Sequence, residues 1–218
     1  MCGKFTQMLS WSEVVELSDL LGTTEADPIE TVTPMRLASV IARDDQGRRR
    51  PVRMRWGLVL PGADPRKAKP VIHARAETID VKPTFRAAFA ARRGILAVTT
   101  FNEGREVTPT KTEQYVLSPA DGAPIGIAVV WERWGEPHGG SLFSFAMVTV
   151  PPNPLIATLT DRMPALIAES DWPVWLGETA ASPDAIKALL KPSDRDLHMR
   201  KAEKPPSRKK DDGQSSLF

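Results

Sequence analysis

The sequence has little cysteine, little histidine and no long apolar stretch. It contains one cysteine and three histidines in 218 residues. A single cysteine excludes an internal disulfide framework and is typical of a reducing compartment. The cysteine and histidines show no metal-ligand spacing, so no metal site is expected. No apolar run approaches the roughly 18 residues that a transmembrane helix needs, so no membrane span is expected.

Targeting and cofactor signals are also missing. The N-terminal residues lack the basic and apolar regions of a signal peptide. The sequence has neither a glycine-rich phosphate loop nor a Ser-His-Asp signature, so no cofactor is expected. The 29 basic and 27 acidic residues give a net charge of +2, which identifies no partner by itself. These features predict a soluble, cytoplasmic protein.

Strand patterns outnumber helix patterns along the chain. A capping-box spacing at 10–13 predicts a helix as far as Leu21. Shorter helices are predicted at 84–92, 154–158, 171–176 and 182–190. Strands are predicted at 37–42, 52–58, 95–101, 114–117, 125–134 and 143–150, and a short strand or extended segment is predicted at 71–78. The absence of βαβ alternation predicts an α+β fold with a mainly antiparallel, curved or barrel-like sheet and peripheral helices.

The composition changes near Lys191. From there to the last residue the chain is polar, charged and interrupted by proline. Such a segment buries too little apolar surface to fold by itself. We therefore predict one domain over residues 1–190 and a disordered tail over 191–218.

The single cysteine is Cys2, and removal of Met1 would give it a free α-amine. An amine and a thiol on adjacent carbons condense with an aldehyde, first to an imine and then to a thiazolidine ring. Reference pKa values of roughly 7.7–8.0 for the amine and about 8.5 for the thiol leave part of each group nucleophilic near neutrality. The alternative is a frayed, inert terminus, and Cys2 alone does not decide between the two.

Six short motifs occur in order along the chain. They are "MCGKF" at 1–5, "RWGLV" at 55–59, "HARAET" at 73–78, "KPTFRAAF" at 82–89, "FNE" at 101–103 and "DRMP" at 161–164. Together they resemble the SRAP family, whose members shield abasic sites in single-stranded DNA by covalent attachment. The resemblance covers about residues 1–178, and it implies the SRAP fold and a role in the DNA damage response.

The resemblance assigns the chemistry to four positions. Cys2 matches the crosslinking residue, and Glu103 matches the glutamate that moves protons during sugar-ring opening and imine formation. Among the positions where this sequence departs from the family, His73 stands in place of an asparagine and Thr160 in place of a histidine. Because imidazole exchanges protons near neutral pH, His73 is a candidate replacement for the missing histidine. The alternative is that His73 replaces only the hydrogen bonds of the asparagine.

Four residues match positions of the family that contact DNA. Arg75 and Arg86 match arginines that hold the DNA backbone, and Lys4 stands where the family usually has arginine. A lysine keeps the charge at that position and loses the bidentate geometry. Trp56 matches a tryptophan at the DNA surface, where its ring would stack on a base or wedge the strand.

Three functions remain open from the sequence. The first is a monomeric, nucleoid-associated DNA-damage protein that crosslinks to abasic single-stranded DNA. The second is a peptidase whose own N-terminus is its substrate, and the third is a DNA-binding module that has lost its chemistry. The chain also ends in "QSSLF", which resembles peptides that dock on the bacterial sliding clamp through Gln214, Leu217 and Phe218.

Overall fold

The computed structural model describes residues 2–7, 30–64, 66–67, 69–135 and 141–203. The predicted helix at 10–21 and the C-terminal motif lie outside these residues. The strands are β1 Lys4–Gln7, β2 Glu30–Val32, β3 Leu37–Arg43, β4 Arg49–Trp56, β5 His73–Arg75, β6 Arg93–Val98, β7 Thr100–Thr108, β8 Lys111–Pro119, β9 Ile125–Gly135, β10 Ser141–Val150, β11 Met163–Pro164 and β12 Leu197–Lys201. The α-helices are α1 Arg86–Ala91, α2 Trp172–Leu176 and α3 Pro183–Ala188, with 3₁₀ turns at Ala76–Thr78, Ile156–Thr158 and Glu169–Asp171.

Five strands close into a ring. Each of β10, β4, β3, β6 and β9 pairs with the next, and β9 returns to β10, while β5 and β11 also pair with β10. All neighbours in the ring are antiparallel except β4 and β10. The branched and apolar residues of these strands face a common interior, where Ile41 lies opposite Ile95 and is fully buried. The predicted barrel-like, mainly antiparallel fold is confirmed.

A second sheet of five strands carries the amino end of the described chain. Its order is β12-β8-β7-β1-β2, so β1 lies between β7 and β2. Within it Lys4 pairs with Asn102 of β7, and Phe5 pairs with Val32 of β2. This pairing brings the segment before Lys4 to β7, where the backbone of Cys2 hydrogen-bonds to Glu103.

The side chain of Gln7 joins the second sheet to the barrel. Its Nε2 donates hydrogen bonds to the carbonyl oxygens of Ser39, at 3.0 Å, and Ala97, at 3.2 Å. Its Oε1 accepts a third hydrogen bond from the backbone N–H of Ser39, at 3.2 Å. Gln7 is buried, and a buried amide with its hydrogen bonds made fixes the register of two elements against each other.

The predicted helix start at Ser182 is confirmed. The Ser182 hydroxyl oxygen accepts a hydrogen bond from the backbone N–H of Ala185 at 3.1 Å, and Pro183 occupies the first helical position. Serine at this place satisfies an amide that the helix leaves unpaired, and proline there gives up no hydrogen bond. Among the described residues, no helix is both long and apolar enough to cross a membrane.

The structure corrects the predicted start of the tail. Leu197–Lys201, which were assigned to the disordered segment, form β12 against β8, with Leu197 opposite Pro119 and buried. Arg195 also binds Asp121 at 2.7 Å. A short polar strand can be ordered when an existing sheet edge supplies its hydrogen bonds, and local composition does not reveal that edge.

Candidate functional site

Cys2 is buried beside the barrel. Its side chain is 1% exposed, and its thiol donates a hydrogen bond to the carbonyl oxygen of Lys4 at 3.5 Å. Burial raises the pKa of the thiol, and the nearby charge of Glu103 raises it further. A thiol in this environment stays protonated near neutral pH, so a nucleophilic role requires a base that removes its proton.

Glu103 lies on β7, one residue beyond the partner of Lys4, and its side chain is fully buried. Burial raises the pKa of this carboxyl to about 7, although a hydrogen bond from the backbone of Cys2 opposes the rise. At neutral pH the carboxyl is therefore divided between its acid and base forms. Such a group can both give and take a proton beside the thiol.

His73, the first residue of β5, contacts the backbone of Cys2. Its Nε2 lies 2.7 Å from the Cys2 carbonyl oxygen. Because a carbonyl only accepts hydrogen bonds, Nε2 donates, and Nδ1 is the proton-accepting nitrogen of the neutral ring. Burial lowers the pKa of His73, which keeps the ring neutral near pH 7. The structure thus brings His73 to the same site as Cys2.

Thr160 belongs to the turn that leads into the "DRMP" motif. Its hydroxyl lies 3.4 Å from the carboxylate of Asp161. The charge of Asp161 is one of the influences that raise the pKa of Glu103, after the larger effect of burial. Thr160 is therefore the neighbour of a carboxylate whose charge acts on Glu103. A threonine hydroxyl does not titrate near neutral pH, so it cannot supply the proton exchange of a histidine.

Arg162 was not singled out from the sequence, although it lies within the "DRMP" motif. It is buried, and it binds both carboxylate oxygens of Glu77 and the Thr149 carbonyl oxygen. Glu77 follows Arg75 by two residues. The ion pair thus connects the segment of Thr160 with the segment of Arg75 and holds both against β10. An arginine inside a recognised motif was the available signal.

The burial of Trp56 does not fit its predicted place at a DNA surface. Its side chain is fully buried. The centre of its ring lies 5.1 Å from the centre of the Phe5 ring and 6.4 Å from that of the Phe145 ring. Its Nε1 donates a hydrogen bond to the Ile72 carbonyl oxygen at 3.0 Å. A ring enclosed in this way cannot stack on a base. Its edge faces the His73 ring at a centroid distance of 6.3 Å, so Trp56 supports the site from within the core.

A groove of about 910 Å³ is lined by His73, whose ring contacts the backbone of Cys2. Its walls include His73, Arg75, Lys69 and Lys82, over an apolar floor that contains Phe85. The three cationic side chains are exposed, and Lys82 lies 5.7 Å from the centre of the Phe85 ring. A cationic groove with an apolar floor suits a single nucleic-acid strand, since it offers charge for phosphates and surface for bases.

The predicted DNA-binding residues do not all line this groove. Arg75 does, whereas Lys4 is exposed on β1 and Arg86 is exposed at the start of α1. Lys69 and Lys82 were not singled out from the sequence, although Lys82 opens the "KPTFRAAF" motif. In the described part of the chain, no group of histidine, cysteine and acidic side chains could hold a metal ion.

The fold and the site define a β-barrel protein with a cysteine, a carboxyl and an imidazole at its amino end, beside a cationic groove. The sequence matches the SRAP family, SOS response associated peptidase, over residues 1–205. The chain belongs to this family.

Named relatives agree with this assignment, and solved structures share the fold. The chain is 30% identical over 200 residues to the abasic site processing protein YoqW of Bacillus subtilis, which covers 90% of this chain and 89% of that protein. It is 27% identical over 162 residues to the abasic site processing protein HMCES of Xenopus tropicalis, and the match covers 62% of this chain and 48% of that protein. A crystal structure of a Bacteroides thetaiotaomicron protein has a TM-score of 0.81 at 21% identity, covering 93% and 92%. A crystal structure of a protein from Bordetella bronchiseptica has a TM-score of 0.76 at 25% sequence identity, and the match covers 93% of this chain and 100% of that chain.

Proposed function

We propose that this protein binds single-stranded DNA and crosslinks through Cys2 to the aldehyde of an abasic site. The observation that carries the proposal is the buried contact set of Cys2, Glu103 and His73, in which His73 also lines a cationic groove. The names of the relatives, which are abasic site processing proteins, support the choice of lesion. In this role the protein shields the lesion as part of the DNA damage response.

The proposed reaction needs no cofactor, oxidant or reductant. After removal of Met1, the α-amine of Cys2 adds to the sugar aldehyde carbon, and loss of one water gives an imine. The thiol sulfur then adds to the imine carbon as its proton moves to the nitrogen, which closes the thiazolidine. The net change is one new C–N bond, one new C–S bond and the release of water.

Glu103 is the proposed proton carrier of both steps. Its acid form protonates the departing hydroxyl during imine formation, and its base form takes the thiol proton before ring closure. A pKa of about 7 supplies both forms at neutral pH. His73 is the proposed second group, because its Nε2–H holds the Cys2 carbonyl and its Nδ1 can accept a proton.

The test is an incubation of purified protein with a single-stranded oligonucleotide that carries one abasic site. A heat- and detergent-stable adduct with the mass of protein plus DNA minus one water supports the proposal. The protein component of that mass must lack Met1, because every covalent version requires the free amine of Cys2. Non-covalent binding without an adduct would leave the protein a binding module and contradict the proposal.

The His73→Asn variant is expected to lose one limb of the pH profile. The rate should fall as acid converts Glu103 below pH about 7, and fall more steeply where the imidazole also protonates. Since burial lowers the pKa of His73, the second limb should lie below the usual imidazole value of about 6.5. Asparagine can still donate to the Cys2 carbonyl, so the site keeps its geometry. Single-turnover adduct formation across the pH range measures both limbs.

The His73→Asn/Thr160→His double variant is the matched comparison. If the two positions share the reaction centre, the histidine at 160 should restore the acid limb that the single variant loses. A single variant whose rate–pH profile equals that of the unaltered protein would show that His73 only holds the backbone of Cys2.

We further propose that the "QSSLF" segment docks on the bacterial sliding clamp. Residues 204–218 lie outside the described structure, and the proposal rests on the sequence alone. Leu217 and Phe218 offer two adjacent apolar side chains to a pocket, with Gln214 at its rim. If this segment docks on the clamp, it would tether the domain there and raise its local concentration near replicating DNA.

A peptide of residues 209–218 is expected to bind a purified clamp with micromolar affinity, about −8 kcal/mol. Fluorescence anisotropy measures it, and a Leu217→Ala/Phe218→Ala peptide is the control that should lose binding. If the unaltered peptide shows no binding at clamp concentrations of roughly several hundred micromolar, the docking proposal is wrong.

A further inference from the structure

A second pocket, of about 450 Å³, adjoins the segment that walls the groove. Segment 78–86 contributes to both, with Lys82 and Phe85 in the groove and Arg86 in the second pocket. Arg86, Ala90 and Arg93 form one wall of this pocket, and the 179–183 segment forms another. A DNA strand that leaves the groove across segment 78–86 would therefore reach this pocket next.

Within the described residues, the guanidinium of Arg93 contacts backbone carbonyls and the ring of Trp175, whose centre lies 5.9 Å from it. Its Nε donates to the Trp175 carbonyl oxygen at 2.5 Å, and its Nη1 donates to those of Phe89 at 2.5 Å and Ala90 at 2.8 Å. These bonds place the guanidinium at the C-terminal ends of α1 and α2, where cations are favoured. They use Nε and Nη1, and within the described residues Nη2 makes no hydrogen bond.

A second arginine converges on the same place. Arg43 donates through Nη1 to the carbonyl oxygen of Gly177, the residue that ends α2 in the left-handed conformation at φ +80°. A Cβ atom on Gly177 would lie 2.9 Å from Nη2 of Arg93 and 3.2 Å from Nη1 of Arg43. Two guanidinium groups therefore approach one glycine. Burial and the charge of Arg43 both lower the pKa of Arg93.

The nearby carboxylates are already paired with other cations. Asp80, on the pocket wall, binds Lys187 at 2.6 Å. Glu178, next to Gly177, accepts two hydrogen bonds from Arg49 at 2.6 and 2.8 Å. Over the described ranges, Arg43, Arg86 and Arg93 form no ion pair with a carboxylate. The pocket therefore carries excess positive charge.

We propose that this pocket is a second phosphate subsite, which binds a backbone phosphate of the DNA strand leaving the groove. The inference rests on the proposed single-strand binding and adds a site to it. Nη2 of Arg93 and the exposed Arg86 supply the donors, and guanidinium groups suit phosphate oxygens in pairs. Phe89 and Ile186 give the pocket an apolar wall against which a deoxyribose packs.

Substitution of Ala90 tests the subsite without removing either arginine. Ala90 is exposed on α1 and lines the pocket, so Ala90→Glu places a carboxylate where the phosphate would bind. Ala87 is exposed on the same helix and lines neither the groove nor the pocket, so Ala87→Glu adds the same charge as a matched control. Glutamate is a good helix former, and both variants should fold.

The experiment measures binding of undamaged oligo-dT to the three proteins, which keeps it independent of the covalent chemistry. For strands of about 20 nucleotides, Ala90→Glu should bind about tenfold more weakly than Ala87→Glu. Its log–log salt slope should be smaller by roughly 0.7, the value for one lost phosphate contact. For strands of about four nucleotides, which fill only the groove, the two variants should bind alike.

Two results would overturn the subsite. Equal affinities of the two variants for the long strand would show that no phosphate enters the pocket. Calorimetric binding of inorganic phosphate that Ala90→Glu abolishes, with no difference on the long strand, would assign the pocket to a free anion instead. Failure of the covalent function has a separate signature, because the abasic adduct would then be missing while oligo-dT binding still reported on the pocket.

Discussion

Cys2→Ala is expected to eliminate the stable adduct with abasic DNA while single-stranded DNA binding persists. Alanine keeps the α-amine, so an imine can still form. Without sulfur the imine cannot close to a thiazolidine, and it hydrolyses when the sample is denatured. The substitution removes the thiol hydrogen bond to the Lys4 carbonyl oxygen, at 3.5 Å, and a weaker interaction with the backbone of Asn102. The strand pairing does not depend on either, so the fold and the cationic groove should remain.

A denaturing gel of protein incubated with abasic oligonucleotide measures the adduct, and anisotropy on undamaged DNA measures binding. Cys2→Ser is the closer control, because it replaces only the sulfur atom. Trapping of the imine by borohydride should succeed with both variants if their terminal amines are free. A heat-stable adduct of undiminished yield from Cys2→Ala would refute the role of the thiol.

Glu103→Gln is expected to slow adduct formation by roughly 10²–10⁴-fold without weakening DNA binding, the usual range for loss of a general acid–base group. The amide keeps the size of the buried side chain and removes its titration. Because the unaltered carboxyl has a pKa of about 7, the rate limb near that pH should disappear in the variant.

The same substitution has a thermodynamic signature. A carboxyl whose folded pKa is raised binds its proton more tightly in the folded state, so the free energy of unfolding falls as pH rises from the unfolded value of about 4.3 through about 7. Glu103→Gln should remove this loss and be the more stable protein at pH about 8. Glu106→Gln, an exposed position on the same strand, is the control that should change neither rate nor stability.

The closed sheet was predictable because most of its strands coincide with apolar runs that are visible in the local sequence. Residues 125–134 and 143–150 are long apolar runs, and the structure has strands at 125–135 and 141–150. Strand β12 was missed because Leu197–Lys201 is mostly exposed and depends on the edge of β8 for its order. Its partner lies roughly 80 residues away in sequence, and strand pairing at such a distance leaves no local signature.

The composition of the site followed from family motifs, whereas its environment did not. The motifs placed Cys2, Glu103 and His73 together, and the contact between His73 and the Cys2 carbonyl agrees with that grouping. The motif around Trp56 did not reveal its burial, because tryptophan occurs both at binding surfaces and in cores, and the sequence motif is the same in either case. The raised pKa of Glu103 depends on how strands distant in sequence enclose it, which the order of residues does not express.

The hydrogen bonds of Gln7 have a consequence for the dynamics of the amino end. Chain ends usually exchange their amide protons quickly because they fray. Here Phe5 and Gln7 belong to a strand with neighbours on both sides, and the Gln7 side chain ties that strand to Ser39 and Ala97. Opening this end requires the barrel and the second sheet to separate. The amide protons of β1 should therefore exchange with solvent at the slow rate set by unfolding of the whole domain.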